Sequence, residues 1–166
     1  MNGQNLKIFT PTSIGDTAWL RDLWLSEWGG EGMVSRGHVY HLQDLQALVA
    51  VDATGGYVGA ATYRIDPAGD IELMSLNATT RGVGIGSKLL AEVEAIAARS
   101  GAGRVWLITS NDNLDAIRFY QRRGYRMVAV HIGAVDEARR LKPTIPLVGE
   151  HGIDIHDEIE LAKQVG

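Results

Sequence analysis

The chain has 166 residues, 45% hydrophobic and 22% charged, which is the balance of a globular protein long enough to bury one core. Its formal net charge of −4 argues against a general attraction to nucleic acid or to an anionic membrane, and the absence of cysteine excludes a disulfide framework and a cysteine nucleophile. No run approaches the roughly 20 apolar residues of a membrane helix, and the opening MNGQNLKIFTPT lacks the apolar segment of a secretory signal, so a single cytoplasmic domain is expected.

Residues 6–9 (LKIF) read as a short strand, broken by Pro11, Thr12 and Ser13. Over 16–28, Trp19, Leu20, Leu23, Trp24 and Trp28 recur at helical spacing, with Asp16 as the expected N-cap. GGEGMVSRGH (29–38) reads as a loop, 49–51 as a short strand and DATGG as a turn. YVGAATYRI (57–65) and IELMSL (71–76) are strands separated by the turn DPAGD. A helix is predicted over 84–99, with Ile85, Leu89, Leu90, Val93, Ile96 and Ala97 on one stripe, and SGAG ends it. RVWLITS (104–110) is apolar enough for burial on both faces. A helix over 113–123 stops at Gly124, and 125–133 (YRMVAVHIG) is a strand. Residues 134–156 form a polar insert before an acidic final strand near DEIELAKQ. Consecutive strands before the glycine-rich helix suggest antiparallel pairing, and the strand–helix–strand passages suggest a parallel pair in the same sheet. The expected fold class is α/β (α+β): one mixed, twisted, mostly antiparallel β-sheet flanked by helices on both faces.

The stretch RGVGIGSKLL (81–90) places three glycines around a helix start, where glycine costs about 1 kcal/mol per position relative to alanine. A strand, a short loop, glycines and a helix N-terminus make an anion site, because free N–H groups and the helix dipole point outward. Glycine lets phosphate oxygens approach the backbone, and Arg81, Ser87 and Lys88 add donors. A tightly packed strand–helix corner is the bland alternative. The dinucleotide spacing G-x-G-x-x-G and the P-loop G-x-x-x-x-G-K-[ST] are both absent here. The spacing present is R-x-x-G-x-G at Arg81, Gly84 and Gly86. Further on, Asn113, Ala116, Phe119, Tyr120, Gly124 and Tyr125 form a second pattern after strand 104–110.

In their order and spacing these two motifs resemble those of the GCN5-related N-acetyltransferase (GNAT) superfamily, with the clear match over 57–130. The resemblance implies acetyl-CoA as co-substrate. Its pyrophosphate would lie against Arg81, Gly82, Val83, Gly84, Ile85, Gly86, Ser87 and Lys88. The amide-bearing arm would pair with the strand edge at Leu76 and Asn77, as a pseudo-strand. Asn113 would hold the pantetheine part, with Ala116, Phe119 and Tyr120 of the second motif also at the cofactor. Where the family often has a proline before the arginine, this chain has Asn77-Ala78-Thr79-Thr80.

Acetyl transfer from a thioester to an amine needs a base, an oxyanion donor and an acid for the leaving thiolate. The resemblance places Tyr120 as that acid. The Leu76 N–H is the candidate oxyanion donor. Glu72, expected to share a strand face with Met74 and Leu76 by period-two alternation, is the candidate base, with Asp70 as the other carboxylate in reach. A solvated strand-edge carboxylate is the plain reading of each. Tyr63 and His131 are weaker cleft candidates. With no cysteine, direct transfer to a primary amine in a ternary complex is expected, the acceptor being a small molecule or a peptide.

Trp19 is expected to pack on the sheet, and Trp24 or Trp28 to line the acceptor pocket. His38 and His41, and the group His151, Asp154, His156 and Asp157, do not supply a metal ligand set, so no metal is expected. Arg139, Arg140 and Lys142 read as solvated surface charge. The resemblance also points to a homodimer, with the C-terminal strand as the partner edge. The rival readings are a catalytically idle acyl-CoA-binding or sensing domain, and a protein binding another nucleotide at the same helix.

Overall fold

The computed structural model describes residues 5–80 and 83–166. After a short first strand β1 (Lys7–Phe9), helix α1 (Ile14–Trp28) begins at Ser13 rather than at Asp16. Ser13 Oγ accepts from the Asp16 N–H at 3.0 Å, and the Asp16 carboxylate accepts from the Ser13 N–H at 3.1 Å. Asp16 is thus the third helical residue of a capping box, so the N-cap expected there lies one turn earlier.

Residues 29–38 are not a plain loop. They contain β2 (Gly32–Ser35), which pairs antiparallel with β3 (His38–His41). Arg36 (φ 48°) and Gly37 (φ 78°) make the two-residue turn, both left-handed as a twisted hairpin requires. His38 and His41 sit an odd number of residues apart on a strand, so they project to opposite faces.

The main sheet comprises β4 (Gln46–Val51), β5 (Tyr57–Ile65), β6 (Ile71–Ala78), β7 (Arg104–Ser110), β8 (Arg126–His131) and β9 (Glu158–Gln164), besides β1. Its order is β1-β4-β5-β6-β7-β9-β8. Among the described residues only β6 and β7 pair in parallel, and they are joined by α2 (Ile85–Arg99). Helix α3 (Leu114–Gln121) connects β7 to β8. The C-terminal strand β9 hydrogen-bonds to β7 and β8 at once, so it offers no partner edge; the strand at that margin is β8.

Alternation along the strands divides the core between two faces. Leu48, Ala50, Ala61, Ile71 and Leu73 pack with Leu89, Leu90 and Val93 of α2 and with Tyr120 of α3. Val49 and Ala60 face the other way, toward Leu20 and Trp24 of α1. Trp24 is completely buried, while Trp19 stacks on Tyr57 with ring centroids 4.9 Å apart. Among the described residues no helix is long and apolar enough to cross a membrane.

Two irregularities shape one end of the sheet. Thr62 pairs with Ser75 but Tyr63 pairs with Leu73, so Met74 is an extra, bulged residue of β6. The β6–β7 ladder then runs only from Ile71–Val105 to Leu73–Leu107. Beyond it the two strands part, although β6 continues to Ala78 and β7 to Ser110. β5 holds close to β6 and α2 here. A Cβ on Gly59 would lie 2.8 Å from both the Asn77 carbonyl oxygen and Ile85 Cγ2. Gly59→Ala is therefore expected to destabilise the protein by roughly 1–3 kcal/mol in denaturant titrations, because the backbone must move to make room.

The insert has structure of its own. Helix α4 (Ala134–Leu141) packs against β2. Lys142 follows it and donates from Nζ to the carbonyls of Trp28 (2.6 Å) and Gly32 (2.9 Å), with burial lowering its ammonium pKa. Arg139 donates from Nη2 to the carbonyls of Pro146 and Ile155, both at 2.6 Å. Both cations were expected to be solvated and instead close the insert onto itself and onto the hairpin. Arg140 is exposed, as expected.

Candidate active site

The bulge, the parted strands and the N-terminus of α2 meet at one place. Gly84 is the N-cap of α2 with φ 79°, and no side chain caps that terminus. An added Cβ at Gly84 would meet nothing within 4 Å, so space is open beside the first-turn N–H groups. Gly86 stands against α3: its Cβ would come 3.5 Å from Phe119 Cζ. Ser87 Oγ accepts from Arg123 at Nε (2.8 Å) and Nη2 (2.6 Å). The Arg123 guanidinium also lies over the Phe119 ring, 3.6 Å from its centroid. The glycine motif and the second motif are therefore neighbours in space. Val83 is half-buried, Ile85 is buried in the core and Lys88 is exposed. Arg81 and Gly82 lie outside the described residues.

Along β6, Leu76 packs on the α2 side of the sheet. The Asn77 side-chain oxygen is buried and has no hydrogen-bond partner among the described residues. An unmet buried acceptor beside a parted strand is ready for a donor such as an amide N–H. Asn113 caps α3, its Oδ1 accepting from the Ala116 N–H at 3.2 Å. With that oxygen engaged in the cap, the side-chain amide NH2 of Asn113 is the donor it can offer a ligand.

Tyr120 is buried between Phe119 and Tyr125, with edge-on ring centroids at 5.1 and 5.5 Å. Burial raises its hydroxyl's pKa well above the ordinary phenol value, opposed by the Arg123 charge. The phenol stays protonated across the working pH range and can donate.

Glu72 does not share a face with Leu76. The bulge at Met74 reverses the alternation, so Glu72 points to the α1 side while Leu76 points to the α2 side. Glu72 is 1% exposed. Its Oε2 accepts from Ser35 Oγ at 2.6 Å, and its Oε1 accepts from Arg64 Nε at 2.7 Å. Burial holds its carboxyl above the usual range, opposed by the Ser35 hydroxyl and the Arg64 charge. It is not a solvated edge carboxylate but a buried, elevated one in register with Trp106, one residue before β6 and β7 part.

The other candidates sit elsewhere. Asp70 accepts from the N–H groups of Gly103 and Arg104 and pairs with the Arg104 side chain, at the closed end of the β6–β7 pair. Tyr63 belongs to the core under α2. His131 contacts Glu160 at 3.0 Å on β9. Ser35 and Arg64, which touch Glu72, and Arg123, which ties the two motifs together, were missed in the sequence. The Ser35 signal was there to find: Met33-Val34-Ser35 and His38-Val39-Tyr40 flank Arg36-Gly37 as strands flank a tight turn.

Comparison with known proteins bears on the family and the fold. A family model described as "Acetyltransferase (GNAT) family" matches residues 17–125. The uncharacterized protein YdhI of Bacillus subtilis (strain 168) is 42% identical over 146 residues, 88% of this chain and 91% of that protein. Among solved structures, an IAA acetyltransferase from Bacillus cereus ATCC 14579 superposes with TM-score 0.70 at 20% identity, covering 96% of this chain and 99% of that one. A GNAT family acetyltransferase from Elizabethkingia anophelis with acetyl-CoA bound superposes with TM-score 0.67 at 18% identity, covering 98% and 99%. At these identities the structural likeness concerns the fold.

Proposed function

Because the chain belongs to the GNAT family of acetyltransferases, we propose that it is a single-domain N-acetyltransferase that moves the acetyl group of acetyl-CoA directly to a primary amine. The observation that carries this reading is the parting of β6 and β7 after Leu73 and Leu107, beside an uncapped α2 N-terminus. The residues present fit acetyl-CoA. The first-turn N–H groups after Gly84 suit a pyrophosphate. The open edge of β6 near Leu76, the orphaned Asn77 oxygen and the Asn113 amino group suit the amides of a pantetheine arm.

Glu72 then serves as the base, the Leu76 N–H as a donor to the oxyanion, and Tyr120 as the proton donor to the leaving thiolate. The amine enters from the α1 side of β6, where Glu72 points, beneath the β2–β3 hairpin. The acceptor is a small molecule or a peptide, and the reaction needs no covalent enzyme intermediate. A catalytically idle acyl-CoA-binding domain would not need a protonated Tyr120 on one face of the sheet and a buried carboxylate on the other.

Release of free thiol from acetyl-CoA across a panel of polyamines, amino acids, aminoglycosides and N-terminal peptides tests this reading. Acceptor-dependent release supports it, and a flat response over the whole panel favours the idle domain. Gly84→Val tests the phosphate cradle separately. A β-branched residue at φ 79° is strained and carries its side chain into the open space, so acetyl-CoA affinity should fall by about tenfold or more with the circular dichroism spectrum kept.

A further inference from the structure

We propose that the hydroxyl of Ser35 carries the proton of the acceptor amine to Glu72. The inference rests on the reading of the chain as an acetyltransferase with Glu72 as base, and it names a residue that this reading does not contain.

The geometry leaves one route to the carboxylate. Both Glu72 oxygens are engaged, and Glu72 and Ser35 are only 1% and 4% exposed, so a proton reaches the carboxylate through the groups bonded to it. Arg64 is one partner, and a guanidinium has five donors, no acceptor and no accessible deprotonation. It can hold Glu72 but cannot take a proton. Ser35 is the other partner. A hydroxyl that donates to a carboxylate keeps lone pairs that can accept. In the relay, an N–H bond of the acceptor in its ammonium form breaks, its electron pair staying on nitrogen, as a new O–H bond forms at Ser35 Oγ. The original Oγ–H bond breaks as Glu72 Oε2 gains the proton. The amine lone pair is then free for the thioester carbonyl.

The hairpin is built to hold Ser35 in place. Arg36, next to it in the turn, reaches Glu158 Oε1 from Nη1 at 3.4 Å. At the other end of β2, Lys142 holds the Gly32 carbonyl. Tyr40, on the neighbouring strand, lies under the Arg64 guanidinium at 4.6 Å. The charged and titratable groups facing Glu72 are thus Arg64 from β5, Tyr40 from β3 and Asp66 from the turn after β5. A fixed hydroxyl already bonded to the base suits a relay better than a mobile water would, because its position costs no ordering at the moment of transfer.

The test uses the full chain with saturating acetyl-CoA and a responsive amine, following kcat/KM against pH. Ser35→Ala is expected to lower kcat/KM for the amine by about 100-fold or more near neutral pH, with acetyl-CoA affinity unchanged. The acid limb set by Glu72 should vanish, leaving only the rise that follows the amine's own deprotonation. Ser35→Thr, which restores a hydroxyl, should recover both rate and limb. Glu72→Gln should give the Ser35→Ala profile, and the double variant should lose no more than either single one. Should Ser35→Ala fail to fold, Ser35→Gly carries the same expectation. A Ser35→Ala enzyme with wild-type rate and acid limb, beside an impaired Glu72→Gln enzyme, would overturn the relay and leave Glu72 as the base. A Glu72→Gln enzyme with wild-type rate and limb would instead remove the base itself, and the relay with it.

Discussion

Replacing Tyr120 by Phe is expected to lower turnover by about 10²–10⁴-fold while leaving thermal stability nearly unchanged. The change removes only the phenolic oxygen and keeps the buried ring, so little packing is lost. The ring contacts with Phe119 and Tyr125 persist in the variant. Burial holds the phenol protonated well past neutrality, so a proton is on hand whenever the thiolate leaves, and the loss should be uniform from mildly acidic to mildly alkaline pH. Acetyl-CoA affinity should stay close to that of the wild type. Steady-state kinetics, calorimetry and a thermal melt on one preparation measure all three. A large loss of stability with unchanged kcat would make Tyr120 a core residue and nothing more.

The largest stability effect is expected at Arg64. Arg64→Met keeps the length and apolar contacts of the stem but leaves the Glu72 carboxylate buried without its countercharge. Breaking a buried pair from one side costs about 3–5 kcal/mol. The pH dependence has a definite sign. Glu72 binds its proton more tightly in the folded chain than in the unfolded one. Its contribution is therefore fully present below the ordinary carboxylate range and is lost as pH rises through the raised folded value. Removing Arg64 raises that value further and extends the loss upward. The deficit of Arg64→Met should accordingly be larger at about pH 8 than at about pH 5. Urea titrations at the two values check it. Equal deficits at both would mean that the carboxylate is not the group left in distress. Arg64→Met should also widen the pH range over which Glu72 is protonated and idle, so its activity optimum should move to higher pH.

Much of the machinery was legible because it is local. The Gly84 and Gly86 spacing marks a helix start that must stay open, and the Asn113-to-Tyr125 pattern marks a cap, a packing face and a stop. Both motifs are read within a single turn or helix, and the structure brings them together through Gly86, Phe119, Ser87 and Arg123. What failed to show depends on long-range pairing. The place of β9 between β7 and β8 is a matter of sheet order, which alternation within a strand does not encode. The face of Leu76 was misread because a single bulged residue, Met74, shifts the period and cannot be seen in IELMSL itself. Ser35 lay in a segment whose glycines at positions 29, 30, 32 and 37 outweighed its alternating strands. Lys142 and Arg139 look like surface charge until the carbonyls they bind are known.

The measurement that tests the account most directly is calorimetric titration of the purified protein with acetyl-CoA, beside coenzyme A, ATP and NAD. Selective, saturable binding of acetyl-CoA and coenzyme A, weakened by Gly84→Val, is the predicted result. Binding of ATP or NAD in preference, or no binding of acetyl-CoA at all, would contradict the assignment of the cleft between β6 and β7, and the roles given to Tyr120, Glu72, Leu76 and Ser35 would fall with it.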